Sequence, residues 1–242
     1  MKEESLWEYI VRFISTYGND FLHGIATTLW IVPTSLIIGL IMAIGLGVLM
    51  ASRAPLIFRV PALIFSYIFR GTPMLIQLYL IYFALGLWLS EIPSLPQFID
   101  FLLKDKAFWA ILTFALNTAA YTSEIVRGAI ETTPAGEIEA AKAFGMSSKQ
   151  IFIRITFPSA VRRALPAYAN EVIFMLHGSA ILSTIAVMDI TQAARVAYGR
   201  SYEPYLPFIA AGLIYLAITM LIFTGFKILE KRVYRHLSPR QI

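Results

Sequence analysis

The sequence predicts an all-α fold, a polytopic transmembrane helical bundle with five crossings, on three observations. Of 242 residues, 58% are hydrophobic and only 14% are charged, with a mean hydropathy of +0.69, a balance too apolar for a soluble domain of this length. The apolar residues gather into runs of about 20 or more, the length at which a helix crosses a hydrocarbon core roughly 30 Å thick. The runs are also uniformly apolar, whereas the strands of a membrane barrel would alternate apolar and polar residues over about 10 positions.

The five runs are 21–50, 60–89, 107–130, 165–187 and 208–228, each bounded by charge or by Pro and Gly clusters. Residues 2–19 carry Glu3, Glu4, Glu8 and Arg12 where a signal peptide would have a short apolar core, so no removable leader is expected. Five crossings put the termini on opposite sides, and Lys and Arg decide which side is cytoplasmic. One set of connecting segments holds Arg53, Arg59, Arg127, Lys142, Lys149, Arg154, Arg162, Arg163, Lys227, Lys231, Arg232, Arg235 and Arg240. The other holds only Lys2, Arg12, Lys104, Lys106, Arg195 and Arg200. The first set is expected inside, and the N-terminus, 90–106 and 188–207 outside. The whole chain, 1–242, reads as a single transmembrane domain.

Its formal net charge of +5 is distributed between the apolar runs, which fits membrane orientation and no nucleic-acid partner. There is no cysteine, and the three histidines are not paired at ligand spacing, so no metal site is expected. The chain also lacks a phosphate-cradling loop and an HExxH motif, so no catalytic residue is assigned.

The polar segment 131–164 should form a compact helical element. Pro134 can open a helix, Glu137 and Glu139 suit its first turn, and Gly145 can supply the left-handed residue that ends it. Ser147 or Ser148 can cap a second short helix with an apolar stripe of Ile151, Phe152 and Ile155, which Pro158 is expected to stop. Small Ala140 and Ala141 would let a partner surface approach closely.

Within this segment Glu139-Ala140-Ala141, then Gly145, then Ile155-Thr156-Phe157-Pro158 resembles the EAA loop of ABC importer permeases, with Phe157 where the usual pattern has leucine. Phe69-Arg70-Gly71-Thr72-Pro73, the stretch from Asn117 to Ile125 and that from Pro166 to Val172 look like the polar amino acid permeases. Over about 21–236 the chain is most similar to their M-type subunits, which serve histidine/lysine/arginine/ornithine and arginine import. The resemblance implies an inner-membrane permease whose loop, through Glu139, Ala140, Ala141, Gly145, Ile155 and Pro158, seats in a cytoplasmic ATPase. It further implies a homologous Q-type permease subunit, two ATPase subunits that carry the ATP and Mg, and an extracytoplasmic amino acid-binding protein. No cofactor is expected in this chain.

Solute contacts are sought among polar residues inside the apolar runs, because a carboxylate at membrane depth is costly unless it faces a cavity or a partner. Glu124 and Glu171 are the two such acids. Asn117, Tyr121 and Glu124 recur at i, i+4 and i+7 and form a polar stripe on one helical face. In the fourth run Asn170 and His177 share a face, and Gly178 and Ser179 leave room beside Glu171. Thr72, between Gly71 and Pro73, marks an expected helix break, with Gln77 nearby. Each has a structural counterpart: an ion pair with Arg127 for Glu124; pairing with Arg70, Arg162 or Arg163 for Glu171; packing for His177; and a kink for Thr72 and Gln77. Many relatives carry a lysine before a Ser/Thr pair in the fourth crossing, where this chain reads His177-Gly178-Ser179-Ala180. The missing positive charge favours a cationic solute near Glu171. The alternatives are import of other polar amino acids, or an ion-coupled secondary transporter with one of these acids as proton carrier.

Overall fold

The computed structural model describes residues 5–52, 54–92 and 96–234. Of the charges weighed above, Lys2, Glu3, Glu4, Arg53, Arg235 and Arg240 lie outside the described residues. All regular structure among the described residues is helical.

Helix α1 (Leu6–Ala51) has 46 residues, or about 69 Å at 1.5 Å per residue, more than twice a hydrocarbon core. It starts well before the apolar run at 21 because Ser5 and Glu8 form a capping box. Phe13 and Phe21 then pack this early part against helices described below.

The run 60–89 is not one helix. Helix α2 (Leu56–Gly71) stops, and α3 (Met74–Tyr79) departs at 108°. Pro73 supplies no N–H and pushes the residue before it out of helical space; Thr72 is extended at φ −120°, ψ 144°. A π-helical turn, Leu80–Leu85, leads into α4 (Gly86–Ser90). The short α5 (Gln97–Lys104) follows, and the Asp105 side chain caps α6 (Lys106–Glu131) through the Ala107 N–H at 2.9 Å.

In the polar segment, α7 (Ala135–Ala143) follows Pro134 and ends at Gly145, whose φ is +74°. The Met146 N–H reaches back to the Ala141 carbonyl at 3.1 Å, closing the left-handed cap. Ser147 caps α8 (Ser148–Ile151) in a second capping box with Gln150. Pro158 does not stop this helix, contrary to the sequence reading. A π-helical turn, Phe152–Thr156, carries the chain into α9 (Phe157–Gly178), where Pro158 sits in the first turn and needs no donor. The fourth apolar run at 165 therefore continues a helix begun earlier. A 3-10 segment, Ser179–Ile185, completes it.

Segment 188–207, expected to be a connection, contains α10 (Ile190–Ser201), capped by Asp189 through the Gln192 N–H at 2.7 Å. Its buried face is Ile190, Ala193, Ala194 and Ala197. Thr191, Gln192, Arg195 and Arg200 interrupt that face in the sequence, which is why a scan for apolar runs passes over it. Helix α11 (Tyr205–Val233) closes the chain. Two helices are long and apolar enough to cross a membrane by themselves, Trp7–Ala51 and Tyr205–Val233. Two bent pairs qualify only when joined, across 108° in the second run and 45° between the 3-10 segment and α10.

Helix α6 packs along α1 and also meets α2 and α9. The α1–α6 seam is closed by small residues, Gly39, Ala43 and Gly47, spaced four apart. A Cβ at Gly39 would overlap the Thr118 methyl, and one at Gly47 would lie 2.7 Å from the Ser123 carbonyl. With no water-driven hydrophobic effect between membrane helices, such close approach supplies the dispersion and backbone contact that hold them together. Gly39→Val should therefore cost about 1–3 kcal/mol through overpacking. Gly45→Val, where an added Cβ meets nothing within 4 Å, should stay within about 0.5 kcal/mol. Thermal unfolding in detergent reads both, and equal melting temperatures for the two variants would contradict the close-packed seam.

Candidate functional site

The break between α2 and α3 forms one wall of a cavity of about 540 Å³, and α6 and α9 form the others. Thr72 comes from the break, Asn117 and Tyr121 from α6, and Asn170 and Glu171 from α9, with Met74, Phe174 and Met175 as apolar lining. Five of the residues singled out in the sequence thus meet in one place. Gly178 contributes by omission, since a Cβ there would collide with the Met74 side chain.

Glu171 is 8% exposed. It makes no ion pair among the described residues, and the Thr118 hydroxyl of α6 interacts with it. Of the three arginines proposed as its structural partners, Arg70 and Arg163 are engaged elsewhere. Arg70 reaches Glu124 at 3.4 Å, and Arg163 donates to the Ala129 carbonyl at 2.7 Å and the Thr133 hydroxyl at 2.8 Å. The Arg162 side chain is exposed and forms no ion pair with Glu171.

Four sequence candidates do not line the cavity. Glu124 turns toward α2, where one oxygen accepts from Arg127 at 2.6 and 2.9 Å and the other from Ser66 at 3.2 Å, beside Arg70. The helical offsets from Asn117 explain this: i+4 and i+8 turn Tyr121 and Ile125 to one side, facing the cavity, while i+7 turns Glu124 to the other side, toward two guanidinium groups. His177 is exposed, and its Nε2 lies 3.0 Å from the Thr219 hydroxyl of α11. Ser179 is fully buried and donates to the Leu176 carbonyl at 2.7 Å. Gln77, 6% exposed, sits behind the lining. Its Nε2 donates to the Phe69 carbonyl, the Thr72 carbonyl and the Thr72 hydroxyl at 2.7, 3.0 and 2.8 Å, and its Oε1 accepts from Asn117 at 2.8 Å.

In the polar segment Glu139, Ala140 and Gly145 are exposed, and Ile155 and Pro158 are half-buried. Ala141 is only 4% exposed, packed against its own chain, so of the alanine pair Ala140 alone offers a surface. Phe144, 85% exposed, was missed; the signal available was an aromatic residue directly before the left-handed glycine. Arg163 was missed as a staple. It covers free carbonyl and hydroxyl groups where α6 ends and the polar segment begins. Among the described residues no cluster of three or more His, Asp or Glu could hold a metal ion.

Residues 43–235 match the family described as binding-protein-dependent transport system inner membrane component. The histidine/lysine/arginine/ornithine transport system permease protein HisM of Escherichia coli (strain K12) is 39% identical over 236 residues, covering 98% of both chains. The octopine transport system permease protein OccM of Rhizobium radiobacter is 39% identical over 93% of this chain and 87% of its own. Among solved structures, a crystal structure of an amino acid ABC transporter with histidines superposes with a TM-score of 0.79 at 28% identity, covering 96% of this chain and 100% of that one. An inward-facing MetNI methionine ABC transporter shares the fold at a TM-score of 0.72 and 20% identity, over 88% of this chain and 96% of that one.

The two acids should respond oppositely to loss of charge. Glu124→Gln takes the carboxylate from Arg70 and leaves Arg127 with Glu131 alone, at 3.3 Å, and should lower stability by about 1 kcal/mol. Glu171→Gln removes an unpaired buried carboxylate and should leave stability unchanged or raise it. Melting curves of the purified protein compare them; a larger loss for Glu171→Gln would show that Glu171 has a structural partner.

Proposed function

Because this chain belongs to the family of binding-protein-dependent transport system inner membrane components, we propose that it conducts cationic amino acids through the cavity at Glu171 as the permease subunit of an ATP-driven importer. The observation that carries this reading is a buried carboxylate with no ion pair among the described residues, facing a cavity large enough for a small solute. An ionised acid in an apolar bundle lacks hydration, and an arriving guanidinium or ammonium group replaces it with a charge-assisted hydrogen bond. The relative that transports histidine, lysine, arginine and ornithine supports the same solute class.

The reading takes 1–242 as a single domain crossing the inner membrane five times: α1, the broken α2–α4 unit, α6, α9 with its 3-10 extension, and α11. Polar Asn117, Thr118, Thr122 and Ser123 depress the hydropathy of α6, yet all are buried in the bundle, which suits a crossing that faces protein and not lipid. The excess of Lys and Arg puts 131–164 in the cytoplasm. There it meets one of two ATPase subunits that bind ATP and Mg, with Ala140, Phe144 and Gly145 as its exposed surface. A homologous Q-type subunit completes the pathway, and an extracytoplasmic amino acid-binding protein delivers the solute.

Two measurements test this reading. With no native cysteine, single cysteines at exposed Gln97 and Ser148 can be labelled by an impermeant maleimide in intact cells; Gln97→Cys should react and Ser148→Cys should not, and the reverse pattern refutes the orientation. In proteoliposomes, Glu171→Gln should reduce arginine and lysine uptake by roughly tenfold or more, the worth of one charge-assisted hydrogen bond, while ATPase assembly persists. Undiminished uptake of both solutes excludes Glu171 as a required contact.

A further inference from the structure

We propose that Gln77 is a positioning residue that fixes the hydrogen-bonding polarity of the cavity, so that the α2–α6 wall presents oxygen acceptors to the solute. The inference rests on the cavity being the solute site. It starts from the carbonyl groups that any helix leaves unpaired at its C-terminal end. Where α2 stops at the cavity wall, these carbonyls take up the donors around the cavity. The Ile68 carbonyl accepts from the Thr72 hydroxyl at 2.8 Å, the Arg70 carbonyl from the Tyr121 hydroxyl at 3.2 Å, and the Phe69 and Thr72 carbonyls from Gln77 Nε2.

Gln77 transmits this constraint one step further. Its Nε2 must face the carbonyls, because turning the amide would set Oε1 against three acceptor oxygens. Its Oε1 must then face Asn117, and Asn117 has to answer with its Nδ2 at 2.8 Å. Asn117 Oδ1 is left as an acceptor, with no hydrogen bond among the described residues. The hydroxyl protons of Thr72 and Tyr121 are already committed, so these side chains also offer lone pairs. Together with Glu171 they form a lining matched to a guanidinium group, which carries five donors and no acceptor. Asn170, on the α9 side, makes no hydrogen bond among the described residues and keeps its own N–H groups.

Arginine and citrulline separate this polarity from shape, since the ureido group of citrulline puts a carbonyl oxygen where arginine has a donor. The purified complex of this chain with its permease and ATPase partners, without the receptor, is titrated with radiolabelled arginine in competition with citrulline. The unaltered complex should prefer arginine by more than roughly tenfold, as sites built for hydrogen bonding do against a mismatched group. Gln77→Met keeps the volume but frees Asn117 to rotate, and should reduce that preference by roughly tenfold. Asn117→Leu should do the same, and the double variant should lose no more than either single one.

A merely structural Gln77 predicts otherwise: weaker binding of both ligands alike, with lower yield and melting temperature. An unchanged arginine-to-citrulline ratio in Gln77→Met, or loss of both ligands in parallel, overturns the proposal. If Gln77→Met yields no complex, Asn117→Leu decides alone, with retained preference counting against the proposal and lost preference for it. An unaltered complex that binds neither arginine nor lysine overturns the cationic reading of the cavity itself, and this inference with it.

Discussion

A helix that ends inside an apolar bundle must find partners for the carbonyls it leaves open, and much of this molecule answers that one demand. No water is available at membrane depth to satisfy them, so irregular backbone persists only where protein groups or a wet cavity take its place. At the end of α2 the partners are Thr72, Gln77 and Tyr121. Each reaches a carbonyl and also borders or supports the cavity. The break at Gly71-Thr72-Pro73 and the polar cavity are therefore one feature: the backbone defect requires the polar side chains, and the polar side chains create the place where a solute can sit.

Helix α6 makes this arrangement rigid because its faces do different work. Toward α1 it presents Ala115, Ala119 and Ser123 to Gly39, Ala43 and Gly47, and the helices approach until a single added methylene would collide. Toward the cavity it presents Asn117 and Tyr121, and toward α2 it presents Glu124 to Arg70, with Arg127 of α6 itself on the same carboxylate. A seam of small residues tolerates little sliding, since interiors packed at crystal-like density shift between discrete arrangements and do not deform smoothly. The polar groups of α6 thus keep their positions relative to the carbonyls they serve. Arg163 fastens the far end of the same helix to α9, beside the segment assigned to ATPase contact.

Much of this was legible in the sequence where local chemistry decides the outcome. The 107–130 run became Lys106–Glu131, Pro73 marked the break, and Gly145 took the left-handed conformation that glycine alone adopts cheaply. Helices α5 and α10 were not legible, because short helices interrupted by polar and charged residues leave no long apolar run. Pro158 misled for a related reason: proline ends a helix from within but is accommodated in a first turn, and only the preceding π-turn shows which applies. The rule that polar residues at membrane depth face something polar singled out Asn117, Tyr121 and Glu171, and all three line the cavity. The same rule cannot say what they face, and Glu124 faced arginine.

That contrast between two glutamates is the point at which position outweighs chemistry. Both are carboxylates inside apolar helices, and both resist burial unless a cation compensates them. Glu124 lies one turn from Arg127 on its own helix and within reach of Arg70 across the bundle, so its compensation is permanent and belongs to the fold. Glu171 has no ion pair among the described residues, and Arg163 on the same helix is committed to a carbonyl and hydroxyls, so under the proposed function its compensation arrives with the solute and departs with it. A permanent partner gives rigidity and excludes transport; a transient one gives a site whose occupant must leave. The two carboxylates stand on adjoining helices, α6 and α9, and only Glu171 lines the cavity.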